Sequence, residues 1–234
     1  MRGSIILAGV LLRLGGYGIY LISLRVDCGG LYGGLVALGL VGLLIIGFRC
    51  MKQIDIKSLI AFSSIGHISL VMVGCSLGGL LGIKGSLIII LGHGIRSSGL
   101  FYFSGIVYER RGRRLIWENK GGVLVFTGVV FYFFIFIFAN ISGPFSVNFF
   151  GEVILYMSYF FVDYLRLVIL LGGSLLCSLY SLALFRCLIH GGYLGSYYIF
   201  FSLKINEIYL LRGVVFPIFL GFLCLRFLYY AFIL

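Results

Sequence analysis

Residues 122–162 read GVLVFTGVVFYFFIFIFANISGPFSVNFFGEVILYMSYFFV. This apolar run is about twice as long as one membrane crossing needs. Near its middle stand Asn140, Ser142, Gly143 and Pro144. Proline removes a backbone donor and clashes with the preceding helical turn. The run is therefore either one long segment broken near Pro144 or two separate spans.

The rest of the chain has the same character. Of its 234 residues, 62% are hydrophobic and 11% charged, with a mean hydropathy of +1.17. A soluble domain carries about 25% charged residues, and here too few remain to clothe one globule in water. Further apolar runs long enough to span a bilayer cover residues 4–23, 31–48, 56–75, 81–107, 165–188 and 213–233. The charges choose between the two readings of the long run. Counted as one interrupted segment, it puts Arg2, Arg49, Lys52, Arg110, Arg111, Arg113, Arg114, Lys120, Arg186, Lys204 and Arg212 on one side of the membrane. Little beyond Arg25 and Lys84 is left for the other. Basic residues mark the side that is not translocated, so this count is the expected one. The fold class expected is an all-α polytopic transmembrane helix bundle of about seven spans with one helix broken near Pro144. Residues 1–190 would form the main membrane domain. Residues 191–234 would supply a connection along the membrane surface and a final transmembrane helix.

The net charge of +11 follows from these short basic loops and gives no reason to expect nucleic acid as a partner. The six cysteines, at positions 28, 50, 75, 177, 187 and 224, form no CxxC pair and no Cys/His cluster at metal spacing. Threonine occurs only at Thr127 and glutamine only at Gln53. That skew suits a coding strand rich in T and G, as mitochondrial genomes often have.

An ionisable side chain at mid-bilayer costs several kcal/mol and is by default a functional candidate. Five approach that depth: Arg13 in the first run, His67 in the third, His93 and Arg96 in the fourth, and Glu152 just after the break. Acid, base and imidazole groups at one level, joined by water, form a route along which protons pass. Broken helices recur in transporters beside the ion site. Each residue also has a structural reading: Arg13 as a snorkelling or paired cation, His67 as a satisfied bundle histidine, Glu152 as a partner for a buried base. Three residues apart, His93 and Arg96 share a face; Arg96 either holds His93 neutral or satisfies a carbonyl. Lys57 and Lys84 lie near span ends, where snorkelling is expected.

Four stretches carry a resemblance. They are GSIILAGVLLRLGGYG at 3–18, QIDIKSLIAFSSIGH at 53–67, HGIRSSGLF at 93–101 followed by Tyr108, Glu109 and Arg110, and PFSVNFFGE at 144–152. In this order and spacing the chain resembles the subunit 4 family of mitochondrial NADH dehydrogenase (respiratory complex I), with its bacterial counterparts and the related antiporter subunits. The resemblance implies an antiporter-like fold of two inverted repeats, each with one broken helix. This chain would correspond to the C-terminal half and hold the second repeat. The family's central proton-path lysine falls on Arg13, its two path histidines on His67 and His93, and its exit-side glutamate on Glu152; Lys57 and Arg96 are secondary candidates. Arginine does not readily lose a proton, so Arg13 would act as a fixed charge tuning its neighbours.

The resemblance further implies a proton-translocating subunit of the mitochondrial inner membrane, partnered by other membrane-arm subunits and by lipid. It implies no cofactor in this chain: NAD, flavin, iron–sulfur clusters and ubiquinone would belong to other subunits. Met1 would be an internal methionine of a longer protein. Two rivals are a subunit of a sodium/proton antiporter or membrane hydrogenase, and a purely structural membrane spacer.

Overall fold

The computed structural model describes residues 3, 6–25, 31–77, 79–121, 127–144, 146–190 and 204–218. A π-turn at Leu7–Leu11 leads into α1 (Leu12–Arg25). There follow α2 (Leu31–Met51), α3 (Ile56–Ser76), α4 (Leu80–Arg111), α5 (Thr127–Asn140), α6 (Val147–Phe160) and α7 (Tyr164–Ile189). A further helix, α8, covers residues 205–218. The chain is an all-α polytopic membrane bundle.

The expectation of about seven spans is corrected. Among the described residues only four helices are long and apolar enough to cross a membrane: Tyr32–Met51, Ile56–Ser76, Leu80–Arg111 and Tyr164–Ile189. The physical reason is length. Within the described residues, the break divides the 122–162 run into two helices of 14 residues each, about 21 Å apiece, against a hydrocarbon core of about 30 Å. At the N-terminus the apolar helix is the short Gly9–Ser23 segment, which begins within the π-turn. The expected last span and the surface connection fall largely on 191–203 and 219–234, outside the described residues.

The break has a defined geometry. At the end of α5, Gly143 N–H donates to Phe138 O (2.9 Å) and Ser142 N–H to Ala139 O (3.3 Å), with Ser142 at φ +58°. This is a Schellman ending, in which a left-handed residue turns the chain off the helix. Pro144 follows, where no helical donor is missed. Ser146 then opens α6, its side chain accepting from Phe149 N–H at 3.3 Å, the usual way an N-cap satisfies one of the first free donors.

In lipid, helices associate through close packing and local hydrogen bonding rather than through the hydrophobic effect. Both devices are present. The buried hydroxyls of Ser63, Ser86 and Ser104 donate to the carbonyl three residues earlier in their own helix, at 2.7–2.8 Å. They stay small and satisfied at the interfaces. Where α4 meets α6 the backbones nearly touch: a Cβ on Gly151 would stand 2.7 Å from Ile89 Cγ1 and 3.1 Å from Gly85 O. Towards the basic side, Phe133 of α5 stacks on Phe103 of α4, with ring centroids 4.1 Å apart. Towards the other side, Tyr159 of α6 donates to Val73 O of α3 at 3.0 Å. Between these two apolar layers lies the polar level.

The basic side is tied together as well. Ile56 N–H donates to Arg114 O and Ile116 N–H to Ile54 O, so the 112–120 loop lies against the start of α3. Arg110 pairs with Glu207 of α8. Lys57 Nζ lies 5.5 Å over the Tyr108 ring.

Candidate functional site

His67 on α3 and His93 on α4 face each other, ring centroids 5.2 Å apart. Both are buried, as are Arg96 (1% exposed) and Glu152 (7%). Arg96, one turn from His93, directs Nη2 at His93 Nδ1 (3.2 Å). Its Nη1 donates to Ala139 O (3.0 Å) and Asn140 O (3.2 Å). These carbonyls end α5, where the helix dipole is negative and a cation is favoured. The broken helix thus carries its own counter-charge, supplied from α4.

Glu152, in the second turn of α6, receives two hydroxyls. Ser142 Oγ donates to Oε1 at 2.5 Å and Tyr156 OH to Oε2 at 3.1 Å. Ser142 is the left-handed residue of the break, a conformation that costs a residue bearing a Cβ roughly 1–2 kcal/mol. Its hydroxyl explains its presence there: the turn aims it at the carboxylate. This reverses the usual ranking of small residues. Ser142→Ala keeps the strain and loses the bond, while Ser142→Gly loses the bond and relieves the strain. Thermal unfolding should find the alanine variant less stable than the glycine variant by roughly 1 kcal/mol. The opposite order would refute this account of the turn.

The π-turn at Leu7–Leu11 offsets α1 just ahead of Arg13. π-bulges gather at functional sites. The Arg13 guanidinium lies against Gly94, whose missing side chain makes the room: a Cβ there would overlap it. Arg13 therefore reaches the backbone beside His93.

A cavity of about 20 Å³, room for about one water, connects part of this level, with His67, Asn140, Ser142, Glu152, Cys177 and Tyr180 in its wall. His93 and Arg13 are not in that wall. A second, smaller cavity of about 10 Å³ lies on the far side of the break, lined by Arg96, Ala139, Ser146, Asn148 and Ile218 among others. Buried polar atoms without a hydrogen-bond partner among the described residues include His67 Nδ1, His93 Nε2, the Nε of Arg13 and of Arg96, and both amide atoms of Asn148. Such atoms are normally met by water.

The structure thus gathers His67, His93, Arg96 and Glu152 at one level and brings Arg13 against its edge. Lys57 is set apart: ten residues before His67 on the same helix, it is about 15 Å away by helical rise, at the basic end. One further participant gave no signal in the sequence. Cys177 Sγ contacts His67 Nε2 (3.5 Å) and Tyr180 OH (2.9 Å), although a lone cysteine in an apolar run reads as a small hydrophobe. Asn148 carried a readable signal, being an amide in an otherwise apolar helix start. Among the described residues, no group of three or more His, Cys, Asp or Glu is placed to hold a metal ion.

Residues 1–177 match the family model described as the transmembrane region of NADH:quinone oxidoreductase and Mrp antiporter subunits. The chain belongs to this family. Its relatives within the antiporter-like family include the NADH-ubiquinone oxidoreductase chain 4 of Locusta migratoria, 38% identical over 234 residues, which covers 99% of this chain and 52% of that one. The chain 4 of Ceratitis capitata is 35% identical, covering 93% and 49%. This family member therefore spans about half the length of the curated relatives it matches. Two solved structures share the antiporter-like fold. Respiratory complex I from Thermus thermophilus with bound NADH contains a chain matching 93% of this one and 48% of its own length, at TM-score 0.82 and 20% identity. The Mrp complex from Dietzia sp. matches 80% of this chain and 36% of its own, at TM-score 0.75 and 20% identity.

Proposed function

We propose that this chain forms part of a proton-translocating membrane-arm subunit of an NADH:ubiquinone oxidoreductase in the mitochondrial inner membrane. Electron transfer, with its NAD, flavin, iron–sulfur and ubiquinone chemistry, takes place in other subunits, and this chain moves protons. The observation that carries the reading is the convergence of separate helices on one buried level, where two imidazoles stand 5.2 Å apart and a cavity runs from His67 to Glu152.

In this reading His67 and His93 take and release protons. Each imidazole has one nitrogen held by a neighbour and one with no hydrogen-bond partner among the described residues, which suits exchange with water. Glu152, with a donor on each oxygen, connects the cavity to the exit or to the next subunit. Arg13 and Arg96 stay charged and set the field on the imidazoles. No bond other than O–H and N–H is made or broken here. The relatives that bear the chain 4 name favour an oxidoreductase over a stand-alone antiporter, and the polar level favours transport over a spacer.

The test is ion dependence. The complex containing this chain, in sealed liposomes, should translocate protons on NADH oxidation to the same extent with and without sodium. A requirement for sodium would move the assignment to a sodium/proton antiporter. Oxidation with no proton movement would reject transport.

A further inference from the structure

Arg96 touches His93 through one nitrogen, and the chemistry of that contact is asymmetric. A guanidinium carries only donors, so at 3.2 Å from Nη2 the His93 Nδ1 must present its lone pair. A neutral imidazole has one proton, which then sits on Nε2. An imidazolium would set N–H against N–H and cation against cation inside a dry bundle. We propose that Arg96 is a positioning residue which fixes His93 as the Nε2–H tautomer and ties that tautomer to the end of the broken helix.

Three observations meet in this assignment. Arg96 is held on its other side by the Ala139 and Asn140 carbonyls, so the guanidinium cannot rotate away without freeing the end of α5. It is 1% exposed, so no bulk water stands in for those bonds. The second imidazole nitrogen, Nε2, is buried with no hydrogen-bond partner among the described residues, so none of them other than Arg96 dictates the tautomer.

The consequence rests on the proton-path reading. His93 offers a proton from Nε2, and it takes up another only at Nδ1, the atom Arg96 covers. Uptake therefore requires Arg96 to withdraw, and withdrawal breaks two bonds to α5. Loading of the imidazole and movement of the helix break become one event.

The tautomer can be read without measuring transport. The chain has three histidines, at 67, 93 and 190, so nitrogen-15 histidine labelling of the full chain in lipid with its partner subunits, compared with a His93→Gln sample, isolates the His93 signals. The expected spectrum shows one tautomer, with Nδ1 unprotonated and Nε2 protonated. Arg96→Lys, which keeps a cationic donor, should retain it. Arg96→Met, which keeps bulk and removes every donor, should shift His93 to a mixture of tautomers. A protonated Nδ1 in the unaltered chain overturns the proposal, and so does an unchanged spectrum in Arg96→Met. If Arg96→Met fails to assemble, the unaltered chain alone still decides. A protonated Nδ1 alongside intact NADH-driven proton uptake would overturn this inference and spare the transport reading. The predicted tautomer without any proton uptake would do the reverse.

Discussion

Glu152→Gln should lower NADH-driven proton uptake by about tenfold or more while leaving assembly intact. Glutamine has the same shape, so the α4–α6 contact beside it at Gly151 is undisturbed. What changes is the chemistry. A carboxylate accepts at both oxygens and takes up a proton; an amide accepts at one atom, donates at the other and exchanges no proton. Ser142 and Tyr156 both donate to the native group, so one of them would meet an N–H instead and turn away. A positioned acid–base group typically contributes 10²–10⁴-fold to a proton-transfer step; the figure of about tenfold is the lower bound, allowing for water in the cavity beside Glu152 to carry part of the traffic. The measurement is protons moved per NADH oxidised in liposomes, with NADH oxidation by an artificial acceptor as the assembly control. An unchanged ratio would remove Glu152 from the path.

The largest structural effect should come from Gly151→Val. Only hydrogen fits between α6 and α4 at this point, where an added Cβ would come within 2.7 Å of Ile89 Cγ1 and 3.1 Å of Gly85 O. The second of these atoms is backbone and cannot rotate aside. The helices must part, and overpacking of this kind costs about 1–3 kcal/mol or more; with a branched side chain against a main chain we expect the upper end. Glu152 is the next residue and would be carried off Ser142. The prediction is a strong loss of assembled complex on native gels, together with a lower unfolding temperature of what remains. Gly172→Ala is the control, since its Cβ would meet nothing within 4 Å. Equal behaviour of the two variants would mean that α4 and α6 are not in backbone contact.

Much of the architecture could be read from residues 122–162, because proline and glycine punctuate an apolar run through local sterics that act in any solvent. The span count could not, because hydropathy measures composition and not where a helix ends. The first apolar run conceals a π-turn, and the described part of the fifth yields two helices of 14 residues, each too short to cross. Depth along a helix brought out Arg13, His67, His93, Arg96 and Glu152 as costly residues, since burial cost depends on one residue at a time. Which of them share a cavity depends on helix rotation and pairing, and these are set by contacts far apart in sequence. Cys177 shows this: its meeting with His67 spans 110 positions, and no local pattern announces it. Ser142 shows the converse, since nothing about a serine beside a glycine says which of the two takes the left-handed turn.

The two cavities on either side of the break share a wall. Asn140 faces one, Ala139 faces the other, and Arg96 donates to the carbonyls of both. A hydrated excess proton crossing directly between them would have to squeeze past a permanent like charge, as cations do in pores that exclude them with an arginine. On the proposed proton-path reading, the partition would act as an insulator against short-circuit, so that the membrane gradient does not drain through the break.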